Sequence, residues 1–270
     1  MRYCTKELYW IMQKTHFHIL LKVNKKAETF SEDFYRELYA KKLAERLEID
    51  KGCSEVKADR IIVEWNYENK EDFERALREY KPPVFDPEQT KRQFAAQHRS
   101  TIKLLRESLP KDILDKTADV RVLALDTASA EVRRLITAFC KENERILHRA
   151  FKELDKAEKR DFGSEENMPE FCRESLHDCT VMSCRMKGKD LVLDIDYSGG
   201  FTNAVKVIFK NAEVVEREGR LGGAVWILDE VYKCERGLEI HALLWKNSGD
   251  LRYLTVRCGD AIIIHDDDSE

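Results

Sequence analysis

Four residues that can bind a soft metal ion lie close together in the C-terminal half: Cys172, His177, Cys179 and Cys184. Thiolate and imidazole are ligands that Zn²⁺ prefers, but the chain contains no Cys-x-x-Cys pair of the kind common in zinc sites. Cys179 and Cys184 are an odd number of residues apart, so they point to opposite faces if they share one regular strand. Cysteine is also an ordinary small core residue. We therefore favour core packing over a structural zinc site, and we predict no metal and no cofactor.

Carboxylates recur at two-residue spacing in the same region. Asp194 and Asp196 share one face of a predicted strand, where they could bind a hard cation or act as acid and base. The solvated face of a half-exposed sheet gives the same pattern, and this is the interpretation that we favour.

Local signatures of several enzyme classes are missing from the sequence. It has no GxxxxGK[ST], GxGxxG, HExxH or GxSxG motif, which argues against most P-loop NTPases, dinucleotide enzymes, zincins and α/β-hydrolases. An active site assembled from distant residues leaves no such motif, and His177, Asp178 and His241 are the candidates for one. An enzyme of this kind, dependent on metal or nucleotide, is an alternative hypothesis, and we predict no catalytic residue.

The segment DYSGGFTNAVKVIF contains the pair Gly199-Gly200. A phosphate-binding loop needs a helix after its glycines, so that free amides and the helix dipole face the anion. Here the glycines precede the alternating, β-branched run of residues 204–209, and Asp194 and Asp196 on the incoming strand would repel phosphate. The pair therefore predicts a bend between two strands.

Aromatic and acidic residues alternate closely in GGAVWILDEVYK. Exposed aromatic side chains serve as anchors in protein interfaces, although such residues serve as core just as readily. Together with the acidic character of the C-terminal region, they favour a basic protein partner. The predicted binding residues are His177, Asp178, Trp226, Asp229, Glu230 and Tyr232.

The spacing of apolar residues changes along the chain, and this change divides the elements that must position these residues into two regions. Residues 1–163 show helical apolar spacing: Thr29 and Glu32 have capping-box spacing, Asp86-Pro87-Glu88 predicts a helix to about Ser108, and the longest helix is expected from about Ser129. The segment ADVRVLALDTAS fits a helix or a short strand. Residues 164–270 read as short strands separated by turns, including one strand over AVKVIFKNAEVVE. We predict an α+β fold: a helical region, 1–163, and a mainly antiparallel β domain, 164–270.

Charge follows the same division. Residues 164–270 contain 13 Lys and Arg against 21 Asp and Glu, a net charge of −8, whereas residues 1–163 carry +4 with both signs interleaved. This pattern does not predict nucleic-acid binding. The start of the chain lacks the apolar core of a signal peptide, and no run approaches the roughly 20 apolar residues that span a bilayer. We therefore expect no membrane association, a cytoplasmic location and reduced thiols for the eight cysteines.

Two segments resemble a known family. Tyr3, Thr5, Lys6 and Glu7 in MRYCTKELYWIMQ, and the run from LHDCTV through SGGFT and FKNA, are similar to an uncharacterised bacterial family, domain of unknown function 4085. That family implies no activity. The start of the β region at Leu176-His177-Asp178 also resembles small immunity proteins of bacterial toxin systems, which is an analogy at the level of the fold.

The function that we predict is a non-enzymatic, cytosolic, bacterial protein-binding module, with a protein partner of basic character. The enzyme with a non-local site is one alternative. A structural scaffold that oligomerises through its helices is another, and the sequence leaves the oligomeric state open.

Overall fold

A computed structural model describes residues 1–57, 60, 70–246 and 249–266. Helices dominate the N-terminal half and an antiparallel sheet fills the C-terminal half, so the predicted α+β class is confirmed. In chain order the helices are α1 Lys6–Met12, α2 Glu32–Ser54, α3 Lys70–Glu79, α4 Pro87–Ser108, α5 Lys111–Lys116, α6 Val120–Leu123, α7 Ala130–Phe162 and α8 Glu170–Arg173. Short 3₁₀ turns occupy Lys25–Glu28 and Glu165–Asn167.

The strands are β1 Lys22–Val23, β2 Thr127–Ala128, β3 Thr180–Lys187, β4 Asp190–Asp196, β5 Ala204–Lys210, β6 Glu213–Arg217, β7 Ala224–Cys234, β8 Gly237–Lys246, β9 Asp250–Cys258 and β10 Asp260–His265. The first two form a small parallel pair. The other eight form one sheet in the order β10-β5-β4-β3-β7-β8-β9-β6, and every neighbouring pair is antiparallel, as predicted.

The chain divides into two compact units, one of residues 16–140 and one of residues 1–15 with 141–270. In the first, Leu105, Ile113, Val132 and Ile136 are among the buried side chains that form the core. The predicted boundary near residue 163 coincides with the change from helical to β periodicity. That it also separates two domains stays a prediction.

The core of the second unit lies inside the curled eight-stranded sheet. β3 and β7 are joined by only two residue pairs, Thr180 with Val225 and Val181 with Ala224. β10 contacts β8 and β5 contacts β9, so the two parts of the sheet face each other. Fully buried side chains from both parts fill the space between them, among them Leu193, Val207, Phe209, Trp226, Leu244 and Val256.

Several helix starts agree with their local signals. Asp86 caps α4 by accepting from the backbone N–H groups of Glu88 and Gln89, and the helix ends at Ser108, as expected. Ser129 precedes α7, and its hydroxyl accepts from the N–H of Val132. The cap of α2 is a correction: Ser31 accepts from Phe34 N–H, because Thr29 ends the preceding 3₁₀ turn.

Two other segments differ from the pattern in the sequence. ADVRVLALDTAS holds both predicted alternatives, the short helix α6 and then β2. The prediction of a single strand over AVKVIFKNAEVVE is wrong. The chain forms β5, turns at Asn211, where φ is 50°, and continues as β6. β5 pairs with β4 and β10, whereas β6 pairs with β9 at the other edge of the sheet. In the described part of the chain, no helix has the length and hydropathy needed to cross a bilayer.

Candidate functional site

Strand β7 carries four of the six predicted binding residues. A bulge between Trp226 and Leu228 shifts its register against β8, after which Asp229 lies opposite Ala242 and Glu230 lies opposite His241. Consecutive residues of a strand point to opposite faces. Asp229 and Glu230 therefore belong to different environments.

The face of β7 that carries Glu230 is covered by the N-terminal segment, residues 1–4. The carboxylate of Glu230 is fully buried and accepts hydrogen bonds from three consecutive backbone N–H groups, of Arg2 at 2.8 Å, Tyr3 at 2.7 Å and Cys4. It also accepts from the hydroxyl of Tyr232 at 2.7 Å. The guanidinium of Arg2 lies 4.0 Å from the centre of the Tyr232 ring. A buried carboxylate with this many donors acts as a structural anchor for the segment.

The pKa values within this network follow from its contacts. Burial alone raises the pKa of Glu230, but the donated hydrogen bonds from Arg2, Cys4, Tyr232 and Tyr3 favour the charged form and hold the pKa below its ordinary value. Burial, and then the bond to Glu230, raise the pKa of the Tyr232 hydroxyl. At neutral pH the pair is therefore a carboxylate and a neutral phenol.

His241 belongs to the same network. Its Nδ1 lies 3.2 Å from the hydroxyl oxygen of Thr255, its Nε2 lies 2.9 Å from Oε1 of Glu239, and its ring packs edge-on against Tyr232. Because an ionised carboxylate only accepts, the ring proton is assigned to Nε2. Burial is the main reason that the pKa of His241 lies below its ordinary value.

The opposite face of β7 presents Asp229. Its Oδ1 accepts from the indole N–H of Trp226 at 2.9 Å, and its charge interacts with His177. Burial raises the pKa of Asp229 to about 6; the indole hydrogen bond lowers it, while the charge of Glu230 raises it. Taken as a whole, the residue is only partly buried, so water reaches part of it. Asp229 can therefore change protonation near physiological pH.

Around Asp229 the structure gathers groups that the sequence did not single out. Burial and then the charge of Asp229 raise the pKa of Glu158, on α7, so a second carboxylate shares this site. Burial raises the pKa of the Cys172 thiol to about 12, with contributions from Glu158 and Asp229, and burial also raises the pKa of Cys4. Thiols with raised pKa are poor nucleophiles, which argues against thiolate chemistry here. Glu158 lies in a helical run of alternating charges, and nothing in its local sequence marks it.

His177 and Asp178 form the turn that leads into β3. Nδ1 of His177 lies 3.0 Å from Oδ2 of Asp178, within ion-pair distance but without the geometry of a hydrogen bond. The backbone N–H of Asp178 donates to the carbonyl of Trp226 at 2.9 Å, which ties the turn to β7. Asp178 has φ of 66°, a left-handed conformation that aspartate tolerates better than most residues. Its side chain is 46% exposed.

The Gly199-Gly200 loop packs directly on this turn. The loop joins β4 to β5 with no helix after the glycines, so the predicted bend is confirmed. A Cβ at Gly199 would lie 2.8 Å from the carbonyl oxygen of Asp178, and one at Gly200 would overlap Sγ of Cys179. Only glycine permits this close approach, and the exposed Phe201 follows directly in the chain.

The structure separates the predicted site residues into two groups. His177, Asp178, Trp226 and Asp229 are connected by the contacts described above, whereas Glu230, Tyr232 and His241 belong to the network under residues 1–4. The proposed meeting of His177, Asp178 and His241 is therefore not observed. A binding role for Asp229 and Glu230 requires exposed carboxylates, but Glu230 is fully buried and Asp229 is partly buried. Trp226 and Tyr232 are buried as well. The binding role of the six residues stays a prediction.

Cys172, His177, Cys179 and Cys184 all lie among the described residues. Within the part of the chain that the structure describes, no three His, Cys, Asp or Glu side chains are arranged to hold a metal ion. Asp194 is paired: it accepts a hydrogen bond from the Ser183 hydroxyl at 2.6 Å and forms an ion pair with Arg185 at 2.9 Å.

Comparison with known proteins bears on the same region. The profile described as Protein of unknown function (DUF4085) matches residues 58–252, most of the chain. The chain belongs to this family. No curated protein and no solved structure matches the sequence.

The range of the match distinguishes the predicted site residues from the N-terminal segment that covers β7. All six predicted binding residues, with Glu158 and Phe201, lie within the residues that match DUF4085. The segment 1–4 that Glu230 holds lies outside them, as does the Tyr3, Thr5, Lys6 and Glu7 pattern that first indicated the resemblance. The assignment to DUF4085 therefore rests on the region that contains Asp229 and the Gly199-Gly200 loop.

Proposed function

We propose that the protein is a non-enzymatic binding module, of bacterial and cytoplasmic origin, that holds a protein partner of basic character. The observation that carries this proposal is Phe201, which is 83% exposed on a loop that is fixed on both sides. Gly199 and Gly200 press one side against the turn at Asp178, and on the other the Thr202 hydroxyl donates to Glu174 at 3.0 Å. An exposed aromatic ring on a fixed backbone is the kind of anchor that protein interfaces use.

Charge around Phe201 supports a basic partner. Asp178 and Asp196 both act on Cys179 and raise its pKa after the larger effect of burial, so both carboxylates lie near the base of the loop. In the described part of the chain, neither makes an ion pair with a lysine or arginine. We name the surface formed by His177, Asp178, Asp196 and Phe201 the Phe201 face. Its carboxylates, which no lysine or arginine among the described residues neutralises, suit lysine or arginine side chains next to an apolar group of the partner.

Glu230 is not available for an electrostatic contact with a basic partner. Glu230 already binds the N-terminal segment, and reversing its charge would disrupt that contact rather than an interface. Asp178 and Asp196 take its place as the acids that a partner can reach.

The test is affinity purification of the tagged full-length protein from its native host at moderate salt, with the wild type compared with Phe201→Ser. The matched control is Met186→Ser, which removes an apolar side chain that is also exposed in the β region. We expect one stoichiometric protein partner with the wild type and with Met186→Ser, and its loss with Phe201→Ser. Asp178→Asn with Asp196→Asn should weaken capture in a salt-dependent way. A wild type without a partner, or a partner retained by Phe201→Ser, would contradict the proposal.

A second candidate is an enzyme that transfers protons through Asp229. It is favoured by the pKa of about 6 for Asp229 and by the proximity of His177 and Glu158. Screening the purified protein against hydrolase substrates, with Asp229→Asn beside the wild type, tests it. Turnover that Asp229→Asn leaves unchanged would remove Asp229 from the mechanism.

A further inference from the structure

A pocket of about 280 Å³ opens in the unit of residues 16–140, between α2, α4 and the loop that joins α6 to β2. Lys42 and Arg46 of α2, Phe94 and Gln97 of α4, and Leu125 and Asp126 of the loop are among its lining residues. A water molecule takes up about 30 Å³ of the liquid, so this volume suits a small molecule better than a single water. The Phe201 face lies in the other unit, so the proposed function does not account for this pocket.

One part of the lining is apolar. The ring of Phe94 packs edge-on against Tyr39 with 5.0 Å between centroids, and this contact holds the ring in place. Leu125 is almost fully buried, whereas Leu20, at the rim, is 70% exposed. An apolar ligand group placed against Phe94 and Leu125 would also cover Leu20, which favours binding.

The other part is cationic. Lys42 and Arg46 are four residues apart and so lie on the same side of α2. The Lys42 side chain is only 21% exposed, and its Nζ lies 3.6 Å from Oδ2 of Asp126, beyond hydrogen-bond distance. Arg46 uses Nε to donate to Asp50 at 2.7 Å, which orients its guanidinium. A partly buried ammonium with a long ion pair gains from a second, closer anion.

The backbone fixes Asp126 where it faces Lys42. Its φ is 57°, in the left-handed region, and the conformation is held by two hydrogen bonds. The N–H of Asp126 donates to Leu123 at 3.0 Å, and its carbonyl accepts from Lys22 at 2.8 Å. Residues held in such conformations are concentrated at ligand sites. The lining itself contains two cations and one carboxylate, because Asp50, which pairs with Arg46, lies outside it.

We propose that this pocket binds a small organic anion, with its carboxylate or phosphate between Lys42 and Arg46 and its apolar body against Phe94 and Leu125. The amide of Gln97 adds a donor at the edge. The two cations select against neutral molecules, and the apolar wall selects against inorganic anions.

Titration of the full-length protein followed by amide NMR tests the proposal. Benzoate and phenyl phosphate are the anionic probes, benzyl alcohol is the neutral probe of similar shape, and inorganic phosphate is the anion without an apolar body. We expect benzoate or phenyl phosphate to shift the amide signals of pocket residues such as Gln97 and Asp126. Benzyl alcohol and inorganic phosphate should bind at least about tenfold more weakly, since one charge-assisted hydrogen bond or one apolar wall contributes that factor. The stronger of the two anionic probes shows whether carboxylate or phosphate is preferred.

Two neighbouring lysines provide the matched variants. Lys42→Met should weaken binding of the better anion by about tenfold. Lys41→Met, which removes an exposed lysine from another side of α2, should leave binding unchanged. Arg46→Gln supplies the same measurement if Lys42→Met does not fold. The proposal would be overturned if neither anion saturated the protein, or if benzyl alcohol bound as tightly as the better anion. It would also be overturned if Lys41→Met weakened anion binding as much as the pocket variant.

Discussion

Asp229 and Glu230 are consecutive residues of β7, yet their carboxylates meet opposite surroundings. Asp229 accepts one hydrogen bond, from the Trp226 indole at 2.9 Å, and burial raises its pKa to about 6. For Glu230, hydrogen bonds from the backbone of residues 2–4 and from Tyr232 outweigh burial, and the pKa is lowered. Sequence position alone would assign both acids the same role. Their opposite pKa shifts make them opposite in their effect on stability.

Replacement of Glu230 by glutamine should destabilise the protein. The amide loses the negative charge that orders three backbone N–H groups and the Tyr232 hydroxyl, and it brings in donors where acceptors are needed. We expect the free energy of unfolding to fall by about 2–4 kcal/mol. Urea denaturation followed by circular dichroism measures this loss. Glu235→Gln, at an exposed position of the same region, should change stability by less than about 0.5 kcal/mol. Equal effects of the two substitutions would contradict the anchoring role of Glu230.

Replacement of Asp229 by asparagine should stabilise the protein, and the gain should depend on pH. Because the folded pKa of about 6 lies above the ordinary aspartate value, the folded state binds the proton more tightly than the unfolded state. Below about pH 4 Asp229 is mostly protonated in both states and does not lower the free energy of unfolding. As the pH rises to about 6, its ionisation lowers the free energy of unfolding increasingly, and above that pH the loss stays constant. Asparagine keeps an oxygen that can accept from Trp226, without the buried charge.

Unfolding of the two proteins should be compared at pH 4 and pH 8. We expect a difference near zero at pH 4 and a stabilisation of about 1–2 kcal/mol at pH 8, a value reduced for the remaining solvent contact of Asp229. The matched control is Asp115→Asn, an exposed carboxylate, which should give no such pH dependence. A gain that is independent of pH would show that packing, not charge, separates the two side chains.

Alanine at Gly200 should destabilise the β region, because its Cβ would overlap Sγ of Cys179 and approach the carbonyl oxygen of His177 to 3.1 Å. The expected loss is about 1–3 kcal/mol. Adding Cys179→Ala removes Sγ and should restore part of the stability in a double-mutant cycle. Gly52→Ala is the control: it lies in α2, nothing is within 4 Å of its Cβ position, and it should stabilise by about 0.5–1 kcal/mol. If the double-mutant cycle showed no coupling energy between residues 179 and 200, the contact between Cys179 and this loop would not explain the loss of stability.

Thiol reactivity should distinguish Cys53 from the other cysteines. Cys53 is exposed, whereas Cys172, Cys184 and Cys234 are half-buried and Cys4, Cys140, Cys179 and Cys258 are buried. Burial also raises the pKa of Cys172 to about 12. Since the thiolate is the reactive form and must be reached by the reagent, we expect Ellman's reagent to modify Cys53 first. Cys53→Ser should abolish this fast phase, and Cys172→Ser should leave it intact. Rapid labelling of Cys172 would contradict its burial and raised pKa.

Much of the fold could be predicted from the sequence because its signals are local. Asp86 and Pro87 predict the start of α4. The alternation of apolar and polar residues, together with β-branched residues, predicts most of the strands. The bend at Gly199-Gly200 followed from what comes after it along the chain. Resemblance to DUF4085 was also a property of the sequence alone, and the family match confirms it.

Tertiary structure decided what depends on residues far apart in the chain. Only the packing of residues 1–4 on β7 buries Glu230, 226 residues away from Cys4, and turns a predicted surface acid into an anchor. The charge of Asp229 raises the pKa of Glu158 on α7, an interaction that no spacing in the sequence encodes. The turn at Asn211 sends β6 to the far edge of the sheet, although the apolar alternation continues through it. Periodicity reports which face of an element is apolar, whereas burial, pKa and pocket shape depend on which element covers that face.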